Sequence, residues 1–426
     1  MSADIISLGC RLNIAESETV RAIVGDRDIV VVNSCAVTNE AVRQTRQAIR
    51  RARRARPDTQ LVVTGCAAQI DPASFAAMPE VDRVIGNSDK LSPAAWESSA
   101  PIVVRDVMAL TRTAPHLAAS FSTHARAFVE VQTGCDHRCT YCAIPFGRGN
   151  SRSVPAGALV DRIAALVDAG HREVVLTGVD LTSYGDDLPG IPTLGMLVER
   201  ILRLVPGLER LRLSSLDVEE IDGRLFALLT QEPRVMPHVH LSLQAGDDLI
   251  LKRMKRRHSR ASAVAMVARL KAARPGIAIG ADLIAGFPTE DDAMAANSLA
   301  LIDDCDVVHA HVFPFSPRAG TPAARMPQVA SAVVKERAAA LRARAGERRA
   351  RWLAAQVGTV QRVLVERPGD RGHAENFAEV RLATPSTATE QRKQNGASTG
   401  SARTVGEVVP LIVVSVEGST LIGTPV

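Results

Sequence analysis

Three cysteines stand within eight residues in Gly134-Cys135-Asp136-His137-Arg138-Cys139-Thr140-Tyr141-Cys142. Thiolates at this spacing can wrap one cube of iron and sulfide. In a 4Fe–4S cube three thiolates leave one iron without a protein ligand, and an open iron can bind a substrate. The competing reading is a zinc site with His137 as fourth ligand. Zinc sites favour paired C-x2-C units with a second pair elsewhere, and the sequence has no such pair.

A second triplet is spread over the first 66 residues: Cys10 in Leu8-Gly9-Cys10, Cys35 in Asn33-Ser34-Cys35 and Cys66 in Thr64-Gly65-Cys66. Each follows a short apolar run, and a small residue precedes each. Such residues let backbones crowd together. Isolated cysteines are often small buried hydrophobes, as expected of Cys305 in Asp303-Asp304-Cys305-Asp306. Three equivalent placements instead point to a second 4Fe–4S cluster with an open iron.

The elements that must position these thiols follow from hydrophobic periodicity. Residues 4–8, 28–32 and 60–63 read as strands, each followed by helical sequence at the roughly 30-residue spacing of a βαβ unit. They predict a doubly wound parallel sheet, whose strand ends form the ligand edge. Residues 93–123 look like a connection. A second series has strands at 128–132, 173–177, 210–214, 238–243, 279–285 and 307–313, with helices at 156–169, 194–204 and 262–273 between them. Six repeats predict a partial (β/α)6 barrel, with Cys135, Cys139 and Cys142 at the carboxyl end of its first strand, where barrels place active sites. Residues 333–357 are helical and charged. Beyond them, strands at 360–366, 378–382, 405–416 and 420–423 predict a small all-β domain. Residues 384–403, rich in Thr, Ser, Gln and Asn, read as a disordered loop. Three domains are expected: 1–120, 121–357 and 358–426.

The C-x3-C-x2-C loop with Tyr141 before its last cysteine resembles the radical S-adenosylmethionine superfamily. The resemblance implies that the open iron chelates S-adenosylmethionine and that one electron cleaves it to a 5′-deoxyadenosyl radical. Further segments match at strand ends: Leu176-Thr177-Gly178-Val179-Asp180, Ser214-Ser215, Leu243-Gln244-Ala245-Gly246 and Ala285-Gly286-Phe287-Pro288. They imply cofactor contacts from Tyr141, Thr177, Gly178, Asp180, Ser214 and Gln244. Leu8-Gly9-Cys10-Arg11-Leu12-Asn13, Glu16-Ser17-Glu18, Asn33-Ser34-Cys35-Ala36-Val37-Thr38 and Gly65-Cys66-Ala67 extend the resemblance to methylthiotransferases. In that family the second cluster holds the transferred sulfur, a second S-adenosylmethionine supplies the methyl group, and the terminal domain is an OB-like TRAM domain. Ile144-Pro145-Phe146-Gly147-Arg148-Gly149-Asn150-Ser151-Arg152-Ser153 and Ser183-Tyr184-Gly185 resemble the branch acting on N6-threonylcarbamoyladenosine in tRNA. Thr289 departs from the glycine that many relatives carry. Isopentenyladenosine or a ribosomal-protein aspartate is the alternative substrate, and a metal-stabilised RNA-binding protein without catalysis is the alternative class.

The chain has 426 residues, a net charge of +5 and 3% aromatic residues. That balance suits an acidic partner such as tRNA without requiring one. Arg43, Arg46, Arg50 and Arg54 fall on one helix face. Arg256 lies in the basic run Lys252-Arg253-Met254-Lys255-Arg256-Arg257, and Arg342, Arg344, Arg348, Arg349 and Arg351 form another. Such runs can neutralise phosphates or serve only as solvated faces. Phe377, the one aromatic residue of the terminal domain, is the candidate for base stacking. The candidate RNA contacts are therefore Arg46, Arg50, Arg54, Arg256 and Phe377. No signal peptide or membrane span is expected, so the seven cysteines imply metal chemistry in a reducing cytoplasm. A monomer is expected, reduced by a donor such as flavodoxin or ferredoxin.

Overall fold

A computed structural model describes residues 3–112, 121, 124–383 and 404–426. The segment 384–403, expected to be a loop, lies outside the described residues.

Strands β1 (Asp4–Ser7), β2 (Ile29–Ser34), β3 (Gln60–Gly65), β4 (Arg83–Ile85) and β5 (Ile102–Val103) form a parallel sheet in chain order. The central strand β2 reads Ile-Val-Val-Val-Asn-Ser and is buried throughout, as a parallel strand covered on both faces must be. Its side chains alternate. Ile29 and Val31 pack with Val20 and Val24 of helix α1 (Arg11–Val24) and with Trp96. Val30 and Val32 pack with Ile49 and Ala52 of helix α2 (Asn39–Ala55). Strands β4 and β5 were not anticipated, because three and two residues carry no readable period.

The central unit starts with β6 (Arg126–Glu130). Next, β7 (Gln132–Thr133) and β8 (Arg152–Ser153) pair antiparallel and pinch the base of the loop carrying Cys135, Cys139 and Cys142. Strands β9 (Glu173–Thr177) and β10 (Arg210–Leu213) continue the parallel sheet from β6. After Ser214 the same strand resumes as β11 (Ser215–Leu216) and opens a second parallel sheet with β12 (His238–Gln244), β13 (Ala278–Ala285) and β14 (Val307–Pro314). The break at Ser214 turns two sheets into one curved, six-strand path: the expected partial barrel. Cys305 is fully buried in its core.

A long helix, Ser331–Ala354, leads to a closed barrel of β15 (Val360–Glu366), β16 (Arg371–Ala374), β17 (Glu379–Leu382), β18 (Val408–Glu417) and β19 (Thr420–Pro425), ordered β15-β16-β17-β19-β18. Closure leaves no free sheet edge. Strand β16 was missed because Arg-Gly-His-Ala has no apolar alternation.

This small barrel caps the strand-start end of the central one. Glu173, fully buried on β9, lies 2.8 Å from Arg210 Nε and 3.0 Å from Arg212 Nε. The two guanidiniums reach on: Arg212 donates to Glu375 O at 3.1 Å and Ala374 O at 3.4 Å, and Arg210 to Arg362 O and His373 O, both at 3.4 Å. Burial penalises the Glu173 carboxylate, but Arg212 and Arg210 outweigh it and hold its pKa at about 2. Removing one partner of such a buried cluster strands the others without a counter-charge. Glu173→Ala should therefore lower the unfolding free energy by about 3–5 kcal/mol, read from urea denaturation midpoints at constant m-value.

Candidate metal centres and cofactor site

Cys10 directly precedes α1, Cys35 follows β2, and Cys66 opens the short helix α3 (Cys66–Ile70) straight after β3. The crowding of these strand ends is measurable. Gly9 has φ +100°, and a Cβ there would lie 2.8 Å from Cys35 Sγ. Gly65 has φ +94°, and a Cβ there would lie 2.4 Å from Ser34 O. Only glycine fits both conditions.

Beneath these thiols is a buried polar floor. Asn13 Nδ2 donates to Leu8 O at 2.6 Å and Ser34 O at 3.0 Å, tying the first two cysteine loops together. Lys90 Nζ donates to Glu16 Oε2 at 2.7 Å, Asn87 Oδ1 at 2.6 Å and Asn33 Oδ1 at 3.2 Å. Asn87 Nδ2 lies 3.6 Å from Cys66 Sγ and donates to Gly147 O at 2.9 Å. Arg148 crosses from the central unit, donating to Glu16 Oε1 at 2.8 Å and Asn13 Oδ1 at 2.9 Å. Burial pushes the Cys35 thiol up to about 11 and raises that of Cys66, and Arg148 opposes both shifts. Buried thiols of this kind shed their protons when a metal takes their place.

The other triplet is equally well anchored. Gly134, at φ +72°, brings the chain so close to Asn150 that a Cβ would lie 1.9 Å from its carbonyl oxygen. Cys135 N donates to Gly149 O at 3.1 Å, and Thr140 donates its hydroxyl to Arg253 O at 2.8 Å. Burial pushes the Cys142 thiol up to about 11. His137 Nε2 lies 2.9 Å from Asp180 Oδ2 and 3.5 Å from Glu220 Oε1, so the proposed fourth zinc ligand is committed to carboxylates. Among the described residues, the groups of metal-ligand type whose atoms gather within 4.8 Å are His240–Asp282–His311 and His137–Asp180–Glu220. Neither cysteine triplet gathers so closely. That wider spacing suits a cage of several irons rather than a single ion.

The remaining sequence candidates fall into two groups. Tyr141 sits edge-on to Phe287, with ring centroids 6.3 Å apart, in an apolar cluster beside the loop. Thr177 ends β9 and is buried, and a Cβ on Gly178 would lie 3.0 Å from Gln132 Oε1. Asp180 also lies 3.6 Å from Cys135 Sγ and accepts a hydrogen bond from Ser183 Oγ at 3.0 Å. Ser214 Oγ is buried with no hydrogen-bond partner, and Gln244 ends β12 at φ +66°, a strained setting for a non-glycine residue. An orphaned hydroxyl just past β10 and a strained residue at the end of β12 fit a polar ligand at the carboxyl ends of these strands.

The RNA candidates scatter. Arg46 bonds Ser74 and covers the Phe75 ring at 4.8 Å. Arg50 lies 3.7 Å from Glu80, and Arg54 is exposed. Arg256 instead joins the first cysteine site: it donates to Asp217 Oδ2 at 2.6 Å and Ser242 O at 2.9 Å, with Nη1 3.8 Å from Cys139 Sγ. Phe377 is turned into the joint between the two barrels. Its ring stacks on His373 at 4.6 Å and meets His238 at 5.0 Å. Sequence reasoning missed Lys90, Asn87 and the His240–Asp282–His311 group. None stands in a recognisable spacing, and the last comes together only when β12, β13 and β14 align.

Known proteins agree with this geometry. The pattern of the Radical SAM superfamily matches residues 129–302, and that of the uncharacterized protein family UPF0004 matches residues 2–86. The threonylcarbamoyladenosine tRNA methylthiotransferase MtaB of Rickettsia prowazekii is 48% identical over 89% of this chain and 91% of its own. The tRNA-2-methylthio-N(6)-dimethylallyladenosine synthase of Erythrobacter litoralis is 33% identical over 85% of this chain and 86% of its own. The solved radical S-adenosylmethionine methyltransferase TsrM of Kitasatospora setae shares the fold, with a TM-score of 0.52 at 15% identity, covering 72% of this chain and 66% of that one. This chain belongs to the radical S-adenosylmethionine methylthiotransferase family, close to its threonylcarbamoyladenosine tRNA branch.

The polar floor makes a pH prediction. Burial disfavours the Glu16 carboxylate, yet Arg148 and Lys90 more than compensate and hold its pKa below the ordinary value. Its ion pairs therefore stabilise the fold fully above the unfolded carboxyl pKa of about 4.3, and that contribution is lost as pH falls through the lower folded value. Urea midpoints of the cluster-free protein should fall more steeply below about pH 4.3 for the wild type than for Glu16→Gln.

Proposed function

We propose that this protein converts N6-threonylcarbamoyladenosine, immediately 3′ of the tRNA anticodon, into its 2-methylthio derivative. The observation that carries the reading is the pairing of two separate cysteine triplets across one five-residue helix. Cys142 ends one triplet, helix Ile144–Arg148 follows, and a Cβ on Gly147 would lie 3.1 Å from Cys66 Cβ of the other. The 48% identity to a threonylcarbamoyladenosine enzyme over nearly the full length supports the choice of branch.

In this reading Cys135, Cys139 and Cys142 hold one 4Fe–4S cluster, and Cys10, Cys35 and Cys66 hold the other. When bound, the first cluster supplies an electron that cleaves S-adenosylmethionine to a carbon radical, and the second supplies sulfur. Asp180 fixes the Cys135 loop through His137, and Arg256 sets a positive charge beside Cys139. Tyr141, Thr177, Gly178, Ser214 and Gln244 line the S-adenosylmethionine site, with the unpartnered Ser214 hydroxyl free to accept or donate. The exposed flank of α2 at Arg46, Arg50 and Arg54 offers cations to RNA phosphates, whose contribution would weaken as salt rises. No helix of the described residues is long and apolar enough to cross a membrane. In this reading the enzyme acts on tRNA in the cytoplasm as a monomer, reduced by a donor such as flavodoxin or ferredoxin.

Cys139→Ala should abolish S-adenosylmethionine cleavage, whereas Cys35→Ala should retain cleavage and lose sulfur insertion. Counting 5′-deoxyadenosine and methylthiolated nucleoside by mass spectrometry separates the two, and equal loss of both activities in each variant would refute separate clusters. Nucleosides from a deletion strain should lack 2-methylthio-N6-threonylcarbamoyladenosine and accumulate its precursor.

A further inference from the structure

Arg11 follows the cluster ligand Cys10 and is the first residue of α1. A cation there is poorly placed, because the amino end of a helix carries partial positive charge. No acidic residue stands in the first turn to offset it. The side chain does not turn to solvent. Its guanidinium carbon lies 5.5 Å from the centre of the Phe377 ring, at the joint between the two barrels. Arg126 and Arg212 approach the same ring at 5.2 and 4.9 Å, so three guanidiniums share one small volume.

The neighbouring acids are already engaged. Glu173 is held by Arg210 and Arg212. Arg126 is paired with Glu366 at 2.9 Å. Asp282 Oδ1 lies 3.1 Å from both His240 Nε2 and His311 Nδ1. Among the described residues Arg11 makes neither a hydrogen bond nor an ion pair. The residue as a whole is only partly buried, with its guanidinium directed into the joint. An arginine held in a crowd of like charge, without a counter-ion, marks a place for an anion.

We propose that Arg11 receives the carboxylate of the threonylcarbamoyl group and so selects this substrate over adenosines with an uncharged N6 substituent. This rests on the function proposed above and names the residue that reads its substrate. The modified base carries one such carboxylate, on the substituent at N6, and must bring its C2 to the cluster held by Cys10. Arg11, next in the chain to that cysteine, can reach from the cluster toward Phe377. S-adenosylmethionine is served by the other triplet and by residues at the opposite ends of the strands. A planar guanidinium suits two-pronged binding of a carboxylate, and a site built around such a bond rejects analogues that lack it.

The test measures binding of anticodon hairpins to the holoenzyme with both clusters in place. Three hairpins are compared: one with threonylcarbamoyladenosine, one in which its carboxylate is replaced by a carboxamide, and one with plain adenosine. The wild type should favour the carboxylate hairpin by about tenfold or more. Arg11→Gln should lose that preference while binding the other two hairpins as before, and Arg11→Lys should restore part of it. Iron content and the cluster absorbance report that each variant remains assembled. Equal weakening of all three hairpins would assign Arg11 to a backbone phosphate and overturn the proposal, as would an Arg11→Gln enzyme that discriminates like the wild type. Should the variants fail to assemble, a wild type that binds carboxylate and carboxamide hairpins equally overturns it. A wild-type holoenzyme that binds the carboxylate hairpin selectively but never methylthiolates it would sink the proposed function while leaving the recognition by Arg11 standing.

Discussion

Two iron–sulfur sites built on separate sheets can cooperate only if the sheets keep a fixed relation, and a small set of buried charges imposes it. Arg148 leaves the central unit and enters a nest of Glu16, Asn13 and, through Glu16, Lys90. Burying these ions is expensive unless each finds its partners, so the network tolerates little displacement. The same arginine ends the helix that follows Cys142 and lies behind Cys66. Support for one thiol triplet is thus also support for the other. A second clasp stands on the far side, where Asn39 donates to Ser316 Oγ and Pro317 O, both at 3.2 Å.

Much of this was legible in the sequence, for physical reasons. Strands such as β2 and β9 are long apolar runs between helices, and parallel strands covered on both faces leave that signature. Cys135, Cys139 and Cys142 were recognisable by their close spacing, and Cys10, Cys35 and Cys66 because each follows a strand, and strand ends of parallel sheets meet at one edge. Short strands such as β5 and β16 escaped because β5 is two residues long and β16 buries only the small Gly372 and Ala374.

The polar contacts were much less legible. Arg256 belongs to a basic run, and charge alone suggested RNA. Its position is instead set by Asp217 and Ser242, which are distant in sequence. Phe377 was singled out as a lone aromatic residue in a domain suited to nucleic acid. Its φ of +69° turns the ring inward, where three imidazoles and three guanidiniums surround it. Lys90 is fully buried in a segment whose local sequence reads as an ordinary polar turn. Such positions depend on which segments fold together, a property that no local period encodes.

The stopper formed by the terminal barrel has a topological consequence. The central unit is a partial barrel whose first and last strands, β6 and β14, do not pair among the described residues. With its strand-start end stoppered, a ligand is left two approaches, over the carboxyl ends of the strands where the cysteine loop of the central unit stands, or through the seam between those two edges. Neither route passes the small barrel, so a change in its outer loops leaves access to the thiols untouched.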